Sequence, residues 1–117
     1  MSQTVVIKEG NTLLSVPLEH SSGGPGKKNS EIFFNEQMAF NRDVSVMLLR
    51  SLNKEITVAD AMTATGARAA RIANEVPGTY VTANDFNTGS MEYIRKNIEL
   101  NELSNCTPSN KDLHVLF

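Results

Sequence analysis

Along the 117 residues the spacing of apolar positions changes several times, and each change marks a predicted element. "TVVIK" and "TLLSVP" are strand-length runs separated by "EGN", which predicts a β-hairpin with Gly10 and Asn11 at positive φ in its turn. "HSSGGPGKKNS" follows, small, polar and rich in Gly and Pro, and reads as a mobile loop. In "NEQMAFNRDVSVMLLRSL" Phe40, Val44, Met47 and Leu48 recur at helical spacing and mark one apolar face. "ITVADAM", residues 56–62, lacks polar alternation, as expected of a strand covered on both faces. "ARAARIANEV" is rich in helix formers and stops before Pro77 and Gly78. "TYVTAND" predicts a second strand, and "TGSMEYIRKNIELNEL" a helix with Met91, Ile94 and Ile98 on one face. "NCTPSNKDLHVLF" leaves room for a short third strand.

From Ile56 onward the order is strand, helix, strand, helix, strand. Parallel strands joined by helical crossovers make an α/β sheet of the Rossmann type. Such sheets normally hold five or six strands, so the expectation is an incomplete fold. Residues 1–53 would form the hairpin, loop and helix leading into it, and residues 54–117 its first part.

Charge and cysteine content narrow the function classes. A net charge of -2 gives no overall basic field to gather nucleic acid, and Lys27-Lys28 is the only adjacent lysine pair. One cysteine, Cys106, excludes an internal disulfide and a cysteine-based zinc site, and fits a reducing compartment. The N-terminus lacks the pattern of a signal peptide, and no window approaches ~18 apolar residues. A soluble cytoplasmic domain without metal or membrane partner is expected.

The chemistry concentrates in "DAMTATGARAARIA", residues 60–73. In open α/β sheets ligands sit beyond the carboxyl ends of the strands, where "TATGAR" and "ANDFN" both fall. Asp85 follows Gly66 by 19 residues, close to the ~20 that separate a glycine-rich turn from a ribose-binding acid. A pyrophosphate demands G-x-G-x-x-G at the helix N-terminus, but Ala64 and Ala69 stand at two of those places. No Gly-Lys-Ser or Gly-Lys-Thr follows, which excludes a P-loop. A nucleoside cofactor without phosphates fits better. S-adenosylmethionine is one: its ribose suits an acid, and its amino-acid carboxylate suits an arginine. Arg68 and Arg71 are placed at the mouth of the helix.

"EG" followed by a strand, then "IFFNEQMAFNRDVSVMLL", "DAMTATGARAARIA", "VTANDFN" and "NKDLHVLF" resemble successive signatures of the tRNA guanine-26 N2-dimethyltransferases. The resemblance runs along nearly the whole chain. Its most specific part is "FFN…FNRDVSV", which generic methyltransferases lack. It implies a Rossmann-like fold, S-adenosylmethionine as cofactor, and tRNA as substrate. Residue by residue it implies that Arg42 and Arg68 contact the cofactor and that Asp85 holds the ribose. Asp112 would read the adenine amino group with Leu113 beside it, and Phe33 would lie near the target guanine. Where the family usually has alanine and asparagine, this chain has Leu113 and His114. The family's catalytic aspartate, in a "D-P-F-G"-like motif after the next strand, is expected beyond Phe117. No catalytic residue is therefore expected here, and the chain alone is expected to be inactive. Two alternatives stand beside this. One is a Rossmann-like methyltransferase acting on the amine of another base, a protein or a small molecule. The other is a truncated fragment that binds a nucleoside or a partner without turnover.

Overall fold

The computed structural model describes residues 3–18, 32 and 34–112. The glycine-rich loop, Phe33 and Leu113 lie outside them. Strands β1 (Thr4–Glu9) and β2 (Thr12–Pro17) precede a 3-10 turn (Glu36–Met38) and helix α1 (Ala39–Leu52). Then come β3 (Ile56–Asp60), α2 (Ala67–Glu75), β4 (Thr79–Asn84), α3 (Ser90–Leu100) and β5 (Cys106–Ser109).

β1 and β2 form the expected antiparallel hairpin, from Thr4 opposite Pro17 to Glu9 opposite Thr12. Gly10 takes φ 59°, but Asn11 is not at positive φ, so only the first turn position uses the left-handed region. β3, β4 and β5 form the parallel sheet in that order, with Val58 beside Val81 and Val81 beside Cys106. Val81 and Ala83, two apart and so on one face, pack with Ala69, Ile72 and Ala73 of α2 and Ile94 of α3. Met91 and Ile98 join that cluster, as the helical spacing predicts. β3 departs from expectation. As an edge strand its burial alternates, with Thr57 and Ala59 exposed, so it is not covered on both faces among the described residues.

α2 lies between two cores. Ala69, Ile72 and Ala73 face the sheet, while Ala67 and Ala70 pack with Leu14, Val16 and Phe34 on the hairpin side. The hairpin is docked by α3 as well. Asn97 accepts from the Ser15 N–H and donates to the carbonyls of Ser15 (3.1 Å) and Thr65 (2.8 Å). One turn later Asn101 accepts from the Leu13 N–H and donates to its carbonyl. Four helical residues rise ~6 Å and two strand residues ~6.6 Å, so amides at i and i+4 meet alternate strand residues.

The apolar face of α1 departs from the usual burial of such a stripe. Phe40, Met47 and Leu48 are 76%, 68% and 61% exposed. The helix turns a different side inward, burying Val46 in the sheet-side core and Arg42 beside the hairpin. An arginine can be buried here because Glu9 meets its charge with two hydrogen bonds of 2.7 Å. Among the described residues no helix is long and apolar enough to cross a membrane.

Candidate functional site

The parallel register brings the ends of β3 and β4 side by side, so the loops after Asp60 and Asn84 share one edge of the sheet. Asn84 stitches that edge together. Its buried amide donates to the carbonyls of Ala61 and Lys111 and accepts from Ser109 and the Lys111 N–H.

The turn into α2 is left-handed twice. Gly66, at φ 84°, gives its N–H to the Thr63 carbonyl, and a Cβ there would meet Ile94 at 3.4 Å. Ala64 sits at φ 53° although it carries a side chain. Alanine therefore adopts the conformation that an earlier glycine would have supplied, at a cost of roughly 1–2 kcal/mol. Asp85 holds it there: Oδ2 accepts from the Ala64 N–H at 2.8 Å, and Oδ1 accepts from the Asn87 N–H at 2.9 Å. A carboxylate offers about four lone-pair sites, so these bonds leave acceptor capacity for hydroxyl groups of a ligand.

Asp85 stands between two cavities, bonded to a residue that lines each. One, of about 130 Å³, is lined by Phe34, Asn35, Arg42, Asp60, Thr63, Ala64 and Arg68 among others. The second, of about 570 Å³, is lined by Phe86, Asn87, Thr88, Asn110 and Asp112. The first combines both charges. Arg68 donates to Ser45 Oγ (2.6 Å) and Asn41 Oδ1 (2.8 Å), both neutral, so among the described residues no anion is hydrogen-bonded to it, although Asp60 on the same cavity feels its charge. Burial pushes the Asp60 carboxyl above the usual carboxylate range, against the opposing pull of the Thr63 hydroxyl and Arg68. Arg42 is 5% exposed, clamped on Glu9, and lies over the Phe34 ring at 4.7 Å. The second cavity pairs the exposed Phe86 ring with one carboxylate.

Arg42 and Arg68 thus come together at the first cavity, Asp112 lines the second, and Gly66 shapes the turn between strand and helix. Phe33 and Leu113 lie outside the described residues. Arg71 is not at the helix mouth. It is buried against Glu75, Glu9 and Asp43, and its hydrogen bonds to Glu75 lead in raising its pKa. Burial works against the Glu75 carboxylate, but bonds from Arg71 and Thr12 outweigh it and hold its pKa below the ordinary value. The Cys106 thiol is buried and pushed up to about 11, mainly by desolvation, which suits packing rather than reactivity. Sequence reasoning missed Asp60, Thr63 and Asn35. Asp60 was findable, because it is the last residue of a strand at the edge where such sheets bind ligands.

Comparison with known proteins gives a consistent result. The sequence model of the N2,N2-dimethylguanosine tRNA methyltransferase family matches residues 10–117. The tRNA (guanine(26)-N(2))-dimethyltransferase of Methanococcus aeolicus is 36% identical over 122 residues, covering 95% of this chain and 32% of that protein. The solved structure of Trm1 from Pyrococcus horikoshii with S-adenosyl-L-methionine is 36% identical, with a TM-score of 0.69 over 83% of this chain and 24% of that one. Trm5b from Pyrococcus abyssi has a TM-score of 0.73 at 19% identity, over 95% of this chain and 29% of that one, a likeness of fold alone. The chain therefore spans about a third or less of the length of these relatives. Its parallel sheet is an incomplete Rossmann-like methyltransferase fold, and with a match that runs from the hairpin turn to the last residue, the chain belongs to the N2,N2-dimethylguanosine tRNA methyltransferase family.

Proposed function

We propose that this chain supplies the S-adenosylmethionine-binding part of a tRNA guanine-26 N2-dimethyltransferase. One observation carries the proposal: a half-buried acid, Asp85, with spare acceptor capacity between a small charged cavity and a larger one. The ribose hydroxyls suit Asp85. The adenine suits the Phe86 side, with Asp112 as acceptor for its amino group and Leu113 beside it. The amino-acid end suits the first cavity, where Arg68 answers a carboxylate and Asp60 an ammonium, with Arg42 packed behind.

A methyl on a sulfonium needs little activation, so the cofactor supplies the reactive group and the protein supplies position and partial dehydration. Residues 1–53 bring Arg42 to the pocket, and Phe33 near the target guanine; residues 54–117 bring the turn and the acids. The proton acceptor for the guanine amine is assigned outside these residues, and the setting is cytoplasmic. The family match and the named activity of its relatives support tRNA as the substrate.

The test uses the protein expressed from its complete reading frame, incubated with unmodified tRNA and labelled S-adenosylmethionine. Mass spectrometry of the digested tRNA should find N2-dimethylated guanosine, and NAD should not compete with S-adenosylmethionine for the site. Absence of cofactor binding, or methyl groups only on other bases, would overturn the proposal.

A further inference from the structure

Among the described residues, one buried side-chain polar atom has no hydrogen-bond partner: Nδ2 of Asn35. Asn35 is 1% exposed and lines the small cavity together with Arg42, Asp60 and Arg68. A buried donor left unpaired costs on the order of 1–3 kcal/mol, so such groups call for an explanation. Its orientation is fixed by the fold. Oδ1 caps the 3-10 turn by accepting from the Gln37 N–H at 2.8 Å. Turning the amide over would set its NH₂ against that N–H, two donors facing each other, so Nδ2 is the atom left for another partner. The backbone beside it is pinned too, because the Asn35 carbonyl accepts from Arg42 Nη2 at 3.2 Å.

We propose that Asn35 is a positioning residue for the amino-acid end of the cofactor, its Nδ2 donating to the α-carboxylate. This rests on the cofactor assignment above. The partner must be an acceptor, since Nδ2 can only donate. Glu9 already neutralises Arg42, which leaves Arg68 as the cation with neutral partners on the same cavity. An anionic acceptor there gives the orphaned donor a partner and Arg68 a directly bonded anion together, and a cavity of about 130 Å³ suits a small head group rather than a base and its sugar. Holding the carboxylate at two points orients the rest of the amino-acid chain, and with it the sulfonium.

The test is calorimetric titration of the protein expressed from its complete reading frame, comparing wild type with Asn35→Asp. Aspartate is an equally good N-cap, so the 3-10 turn keeps its acceptor while the donor is lost. S-adenosylmethionine should bind about tenfold to a hundredfold more weakly. 5′-Methylthioadenosine, which lacks the amino-acid end, should bind both proteins within about twofold. Equal weakening of both ligands would overturn the proposal in favour of a structural role. Unchanged cofactor affinity with a raised KM for tRNA would overturn it by giving the donor to the acceptor base. If wild type bound neither ligand, the cofactor assignment itself would fall, and this proposal with it; if wild type bound S-adenosylmethionine and Asn35→Asp bound it equally, only this proposal would fall.

Discussion

Asn97 on α3 and Asn101, the C-cap one turn later, each make three side-chain hydrogen bonds and differ chiefly in burial. That makes them a controlled pair. Truncating Asn97 to alanine removes bonds to the Ser15 N–H and to the carbonyls of Ser15 and Thr65, all in a buried setting. At about 1 kcal/mol each, and with three backbone groups left dry, Asn97→Ala should cost about 3 kcal/mol. A domain of this size has only ~5–15 kcal/mol to lose. Asn101→Ala breaks as many bonds, but those to Leu13 are exposed and water replaces them, so its loss should stay below about 1 kcal/mol. Urea unfolding followed by circular dichroism measures both, with unchanged m-values marking a pure stability effect. Because Asn97 also holds the Thr65 carbonyl, its removal should loosen the turn before α2 and weaken cofactor binding. Equal costs for the two substitutions would refute the idea that burial makes Asn97 the clamp between hairpin and turn.

Two further outcomes follow from the turn and the strand end. Ala64→Gly should raise stability by up to about 1 kcal/mol by relieving a left-handed alanine, whereas Gly66→Ala should lower it by ~1–2 kcal/mol because φ 84° strains a residue with a Cβ; denaturant titration decides both. Asp60 has its folded pKa raised by burial, so the native state binds more protons than the unfolded one between the ordinary carboxylate pKa and the raised value, and stability falls as pH rises through that window. Asp60→Asn should therefore raise the melting temperature at neutral pH but not below the ordinary carboxylate pKa, while weakening cofactor binding; an equal gain at both pH values would contradict this.

The parts legible in the sequence were those carried by local signals. Helices α2 and α3 announce themselves through helix formers and the spacing of Met91, Ile94 and Ile98, and the turn through Gly66 and the acid 19 residues later. The inward face of α1 was not legible, because what buries Arg42 is Glu9, 33 residues away. Periodicity marks Phe40, Val44, Met47 and Leu48 as one face but cannot say that an ion pair will turn another side inward. For the same reason Arg71 reads as a ligand-facing residue in the sequence, while Glu9, Asp43 and Glu75 claim it in the fold. Ala64 hid its role differently: only the Asp85 carboxylate on its N–H shows that an alanine holds a glycine's conformation. Asn35 carried no signal in the sequence: its capping bond to the Gln37 N–H and the unpartnered Nδ2 at its other end emerge only in the fold.

The central claim is that Asp85 receives the ribose of the cofactor while also holding the turn, and a paired titration separates these roles. S-adenosylhomocysteine and its 2′-deoxy analogue are titrated into wild type and Asp85→Ala by calorimetry, with exposed Glu102→Ala as control. A charge-assisted bond to a hydroxyl contributes about 1.5–3 kcal/mol, so wild type and the control should bind the deoxy analogue about tenfold to a hundredfold more weakly than the parent. In Asp85→Ala that difference should vanish, both ligands binding with the same reduced affinity. If Asp85→Ala still distinguishes the two ligands as strongly as wild type does, the ribose is held elsewhere and the site has been placed wrongly.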